Sequence, residues 1–159
     1  MSADLLKNEK LKQDLDSYLS YHKTQGNRLT HFIGIPLIFF SLFCSLGWFR
    51  FAPLDLPISG ATLFLLSVFL FYFQVHKGLA GAVMVWCIPL FLIGEEVAVM
   101  PFGLSFVVSS LTFAMGWAFQ FWGHAIEKNR PAFRTNLSHL GRGPLFITYE
   151  WVKLLGFKL

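Results

Sequence analysis

Three polar side chains stand where an apolar helix runs into a basic, proline-broken loop. The stretch is Trp117-Ala118-Phe119-Gln120-Phe121-Trp122-Gly123-His124-Ala125-Ile126-Glu127-Lys128-Asn129-Arg130-Pro131-Ala132. Offsets of four and three residues put Gln120, His124 and Glu127 on one face of a helix. Ionisable groups at a membrane edge are functional candidates by default. An imidazole beside a carboxylate and an amide points to one wall of a metal site, histidine being the commonest metal ligand among side chains. A second wall has to come from elsewhere. His22 and His31 are placed to supply it, because they bracket one short segment, Tyr21 to His31, that feeds the next apolar run. The other two histidines read more plainly. His76 sits next to Lys77 in a turn and His139 lies in a glycine-rich loop, where a lone histidine is an ordinary interfacial residue.

The elements that must position these groups follow from composition. Of 159 residues, 55% are hydrophobic and 14% charged, against about 25% charged in soluble domains. With a mean hydropathy of +0.55, the chain cannot cover its surface with polar groups, so the composition predicts an integral membrane protein. Its 19 phenylalanines suit lipid contact and an acyl-chain pocket equally. The net charge of +4 is carried by residues flanking apolar runs, which is interfacial anchoring and gives no nucleic-acid signal. Cys44 and Cys87 lie inside apolar runs without metal or redox spacing and read as buried small hydrophobes. The first residues mix acids and bases and show no signal peptide.

The reading is an all-α membrane bundle in a single domain, residues 1–159. Residues 3–21 predict an amphipathic helix too polar to span, with Leu11, Leu15, Tyr18, Leu19 and His22 on its apolar face. Gly26 and Asn27 mark a turn, and Thr30 is a candidate cap for the next helix. Four transmembrane helices follow, over about 32–49, 58–75, 79–100 and 102–122, near the length of about 20 apolar residues that crosses a bilayer. Pro36 falls in the first turns of the first span, Pro89 should bend the third, and Arg50 to Pro57 is a loop. The tail 145–157 reads as a C-terminal interfacial helix. Lysines and arginines concentrate at the two termini and Lys77, so both termini are expected in the cytoplasm. All five histidines then fall near the cytoplasmic membrane face. Glu95 and Glu96 fall at the opposite face, about 30 Å away.

Two sets of residues in this arrangement carry a resemblance. Tyr21-His22, Asn27, His31 and Gly34-Ile35-Pro36 form the first. Gln120-Phe121-Trp122-Gly123-His124, Glu127, Arg130-Pro131-Ala132 and Asn136-Leu137 form the second. Together they resemble a family of small multipass membrane Fe(II)-dependent 2-hydroxy fatty acid dioxygenases, formerly a domain of unknown function. The resemblance spans most of the chain, including the tail Glu150, Leu155-Gly156-Phe157. It implies Fe2+ as cofactor, a long-chain 2-hydroxy fatty acid and O2 as substrates, surrounding membrane lipids, and a product one carbon shorter. His22, His31 and His124 match the histidine motifs and are implied as catalytic metal ligands, with Glu127 and Asn27 as further ligands or supporting partners. Asn136 is implied as a supporting or substrate-contacting residue. Lys23 stands directly after His22, where the family often has another histidine; His76 and His139 do not match the motif. The family's fungal location is the endoplasmic reticulum membrane, and a bacterial member would sit in the inner membrane.

The chemistry fits from below. Fe(II) oxygenase sites combine imidazole and carboxylate ligands with open positions. Gln120 and Asn27 are placed to orient imidazoles, and Arg130 or Arg134 to hold a substrate carboxylate by paired hydrogen bonds. Phe39, Phe40, Phe119, Phe121 and Trp122 are candidate walls for an acyl tail. Two other readings compete: a zinc-dependent membrane lipid hydrolase, although the chain lacks an HExxH, and a non-catalytic lipid-binding membrane scaffold.

Overall fold

The computed structural model describes residues 9–52, 57–128 and 141–154. These are mostly helical: α1 (Glu9–Ser20), α2 (Gln25–Leu46), α3 (Gly60–Val75), α4 (Lys77–Ala98), α5 (Phe102–Ile126) and α6 (Arg142–Leu154), with a two-residue antiparallel ladder of β1 (Arg50–Phe51) and β2 (Ile58–Ser59) between α2 and α3.

The first long helix begins earlier than apolarity alone indicates. Thr24 caps it, its side chain accepting from the Asn27 backbone N–H, so Gly26 and Asn27 lie in the first turn rather than in a loop. Thr30 is no cap; its hydroxyl donates to the Asn27 carbonyl at 2.7 Å. The early start places Pro36 in the helix interior. In the loop read between residues 50 and 57, Arg50 pairs with Ser59 and Phe51 with Ile58. Ser59 then caps α3, and its hydroxyl donates to Glu95 at 2.6 Å. Arg50 meets the same carboxylate at 3.0 Å. Glu95 therefore ties the hairpin to the end of α4 far from His76.

Among the described residues, three helices, α2, α4 and α5, are long and apolar enough to cross a membrane. At 22, 22 and 25 residues they reach about 33–38 Å, more than a hydrocarbon core of about 30 Å. α3 is apolar but has 16 residues, about 24 Å. Leu63, Leu66 and Leu70 on α3 and Leu104, Val107 and Leu111 on α5 face outward, the pattern expected of lipid-facing surface.

α2 is the hub. It packs on α5 along its length, and on α3 and α4 with its other side; α5 meets little else. Small residues make the α2–α5 approach possible. A Cβ on Gly116 would lie 2.9 Å from the Gly34 carbonyl and 2.7 Å from Ile38, so only hydrogen atoms fit between the backbones. Farther along, the Ser109 hydroxyl donates to the Ser41 carbonyl at 3.0 Å and the Trp48 indole to Ser105 at 2.8 Å. The tail helix does more than lie on a surface. Leu145, Phe146 and Ile147 are buried against α4 and the end of α1, and Trp86 donates to Thr148 at 3.0 Å.

Candidate metal centre

Three histidines converge at the end of the bundle where α1, the start of α2 and the end of α5 meet. His22, His31 and His124 are buried, and one ring nitrogen of each lies within 4.8 Å of the others. The approach depends on Gly123: a Cβ there would strike Thr30 and come within 2.6 Å of Asn27 Oδ1 and 3.1 Å of His31 Nδ1.

Each ring on the N-terminal wall is oriented by a backbone carbonyl. His22 Nδ1 lies 2.7 Å from the Tyr18 carbonyl and His31 Nδ1 lies 2.9 Å from the Asn27 carbonyl. A carbonyl only accepts, so both Nδ1 atoms carry the proton and both Nε2 atoms are left with a lone pair. Those two Nε2 atoms face each other at 3.1 Å. Neither can donate, so the pair repels unless a cation sits against both lone pairs. A proton is disfavoured in that position: burial pushes His22 down to about 4, against the raising effect of its bond to Tyr18. His124 Nδ1 is buried with no hydrogen-bond partner. Facing lone pairs and an orphaned ring nitrogen make a donor set that fits a divalent metal preferring imidazole.

The supporting structure is built from both ends of the chain. The Tyr18 ring lies flat on His22 at 3.9 Å, and Phe146 covers both from α6. Arg28 donates from Nε to the His22 carbonyl at 2.9 Å and meets Glu150 of α6 at 3.7 Å.

Glu127, expected as a ligand or a supporting partner, is engaged by the loop that carries His22. Its carboxylate accepts from the Lys23 and Thr24 backbone N–H groups at 2.9 Å each, from the Thr24 hydroxyl at 2.6 Å and from the Asn27 side chain at 3.2 Å. It closes α5 as the C-cap, and Lys128 follows in the left-handed region with φ 55°. Desolvation raises the Glu127 carboxyl, but the bonds from Thr24, Asn27 and Lys23 outweigh it and hold the group down at about 2. Glu127 is thus a clasp that holds the His22 loop on the end of α5, and Asn27 links that clasp to His31.

Gln120 is buried beside Gly34, its Nε2 without a partner. It lines a cavity of about 320 Å³ that begins at the three histidines. Of the aromatic walls expected from sequence, Phe39 lines this cavity. Phe121 and Trp122 point outward, 52% and 59% exposed, because the α5 face carrying Gln120 and His124 is the one turned inward. His76 stands apart and caps α4, its Nδ1 accepting from the Leu79 N–H at 3.3 Å. Arg130, Arg134, Asn136 and His139 lie outside the described residues. Sequence reasoning missed Tyr18, Thr24 and Phe146 as parts of the site. Tyr18 was findable, standing one helical turn before His22; Phe146 gave no signal, because its role depends on where α6 docks.

Residues 8–155 match the family described as 2-hydroxy-palmitic acid dioxygenase Mpo1-like. The chain is similar to the 2-hydroxy-palmitic acid dioxygenase MPO1 of Saccharomyces cerevisiae, 34% identical over 149 residues that cover 92% of this chain and 82% of the yeast protein. No solved structure matches. Nearly the whole chain, including both walls of the histidine cluster, falls within the match, and the chain belongs to the Mpo1-like 2-hydroxy-palmitic acid dioxygenase family.

Proposed function

We propose that this chain is an Fe(II)-dependent membrane dioxygenase that shortens long-chain 2-hydroxy fatty acids by one carbon. The observation that carries the reading is the His22–His31 pair, two unprotonated Nε2 atoms facing at 3.1 Å beside an orphaned His124. Family membership narrows the metal chemistry to oxygenation. The bond that breaks joins C1 to C2: R–CH(OH)–COOH with O2 becomes R–COOH, CO2 and water, so one O2 takes up the four electrons lost by the acid. Fe(II), held by His22, His31 and His124, would supply the redox chemistry that lets O2 react with the acid.

The chain's own residues do the rest. The Tyr18 and Asn27 carbonyls fix the tautomers of His22 and His31, keeping their Nε2 lone pairs directed inward. Gln120 offers an unpartnered N–H donor at the cavity wall, suited to a substrate hydroxyl or carboxylate oxygen. Tyr18, Phe146 and the α2–α5 contact exclude bulk water from the cluster. Arg130 or Arg134 is assigned to the substrate carboxylate, and Asn136 to a supporting or substrate-contacting role, from sequence position alone. Glu127 serves as the clasp.

The same geometry supports four crossings with both termini on one side; the flanking lysines and arginines assign that side to the cytoplasm, of an inner or endoplasmic reticulum membrane. His31 near the start of α2 and His124 near the end of α5 lie on one side, ring centroids 5.0 Å apart. Three crossings by α2, α4 and α5 would separate those ends, so α3 has to carry the chain back across.

The test is anaerobic purification, metal analysis, and O2 uptake with a 2-hydroxy long-chain acid. One metal per chain and an acid product one carbon shorter are expected. His124→Ala should reduce bound iron to background while the protein still inserts; full iron occupancy in that variant would sink the site. Zinc without O2 uptake would favour a hydrolase instead.

A further inference from the structure

The cavity below the histidines has a shape that sequence motifs do not specify. Its polar groups gather at one end: His22, His31, His124, Gln120 and the Tyr18 hydroxyl. Beyond Ile35 its lining is apolar, with Ile38, Phe39 and Leu42 from α2 facing Phe113 and Trp117 from α5. Among the described residues, α3 and α4 contribute nothing to that lining. Phe113 at the rim is 43% exposed, on a helix whose packing is almost confined to α2. The lower part is therefore a trench with α2 and α5 as its sides and the bilayer along its opening.

Its length is set by helix geometry. Both His31 to Leu42 and His124 to Phe113 are eleven residues apart, which is about 16 Å of helix rise. Half of a hydrocarbon core of about 30 Å is about 15 Å, so a trench that starts at one membrane face reaches the midplane. Leu42 and Phe113 are the last residues of its lining, and the Ser109–Ser41 and Trp48–Ser105 hydrogen bonds hold α2 to α5 at and past that level.

We propose that this trench takes the acyl tail of a single-chain 2-hydroxy acid sideways from one leaflet, and that Leu42 and Phe113 set the longest tail accepted. The inference rests on the 2-hydroxy acid reading and extends it to the specificity-determining residues. An amphiphile whose polar end reaches the histidines while its tail stays at leaflet depth matches the lining in polarity and in length. A staggered chain with C–C bonds near 1.5 Å advances ~1.3 Å per carbon, so the trench holds about a dozen tail carbons.

Two measurements test this. In the first, a 2-hydroxy acid of about 14 carbons, a length matched to the trench, carries a diazirine at its terminal carbon. It is photolysed on the wild-type protein in lipid nanodiscs, and adducts are mapped by peptide mass spectrometry. Adducts on α2 around Leu42 and on α5 around Phe113 are expected; adducts confined to the outer α3 face at Leu63, Leu66 and Leu70 would overturn the proposal. In the second, turnover is measured against tail length. Leu42→Trp should lose at least about tenfold for each methylene in excess of the shortened trench, with the shortest acids unaffected. Phe113→Ala should shift the preferred length upward. Equal loss at every length in Leu42→Trp, or an unmoved optimum in Phe113→Ala, refutes the assignment. If the wild-type protein turns over no 2-hydroxy acid, the dioxygenase reading fails, while the adduct map still decides the trench.

Discussion

A neutral imidazole whose Nδ1–H is bound to a carbonyl can only accept at Nε2, and His22 and His31 both stand in that state. Two such acceptors in contact store a repulsion that a metal relieves. His76 has the same side chain in a different circumstance: its Nδ1 accepts from the Leu79 N–H and so helps to start α4. Replacing each with alanine separates the two uses. His31→Ala should lose more than about a hundredfold in turnover together with its metal, since even supporting groups around a metal are worth about 10–100-fold. His76→Ala should keep turnover close to wild type and lose about 1 kcal/mol of stability as a missing helix cap. Turnover assays and metal analysis on the two variants check this, and the reverse order would mean the ligand set is misassigned.

At the scale of elements, the site depends on how a loop is fastened to a helix end. Four donors from Lys23, Thr24 and Asn27 converge on the Glu127 carboxylate. Glu127→Gln puts an NH2 group against at least one of them. The expected result is about 1.5 kcal/mol lost, the low end for a bond to a charged group because the clasp is solvent-exposed, and metal affinity down about tenfold as His22 loosens. Thermal unfolding and metal titration read the two effects. The pH dependence has a definite sign. The folded carboxyl titrates at about 2 against an ordinary 4.5, so the unfolded chain binds the proton more readily in that window. The clasp stabilises fully above about pH 4.5, and its contribution is lost as pH falls through about 2. Glu127→Gln should abolish that part of the acid transition. Helical spacing put Glu127 on the same face as Gln120 and His124, and Glu127 continues that face as the C-cap of α5, with φ −70° and ψ −15°. What the spacing does not show is that the donors to its carboxylate belong to a loop about a hundred residues away in sequence.

At the scale of the whole molecule, the proximity of His31 and His124 constrains the number of membrane crossings. Cysteines placed at residue 129 and residue 55 should react with a membrane-impermeant thiol reagent from opposite sides; reaction from the same side would refute four crossings. The native Cys44 and Cys87 are buried and give little background. The assembly also shows why the tail helix matters to a site it does not ligate. Phe146 covers Tyr18 and His22, and Glu150 holds Arg28, which holds the His22 carbonyl.

The sequence by itself determined the apolar helices and the three histidines, His22, His31 and His124, that the two motifs bring together. Those properties are local: hydropathy, helical spacing and the charge flanking each run are complete within a few turns of chain. Only the tertiary structure decided that Glu127 is a clasp, that Phe121 and Trp122 face outward, and that the cavity ends at Leu42 and Phe113. Each of these depends on how α2 and α5 are rotated against each other. That rotation is set by Gly34, Gly116 and Gly123, positions where the missing side chain lets two distant segments touch.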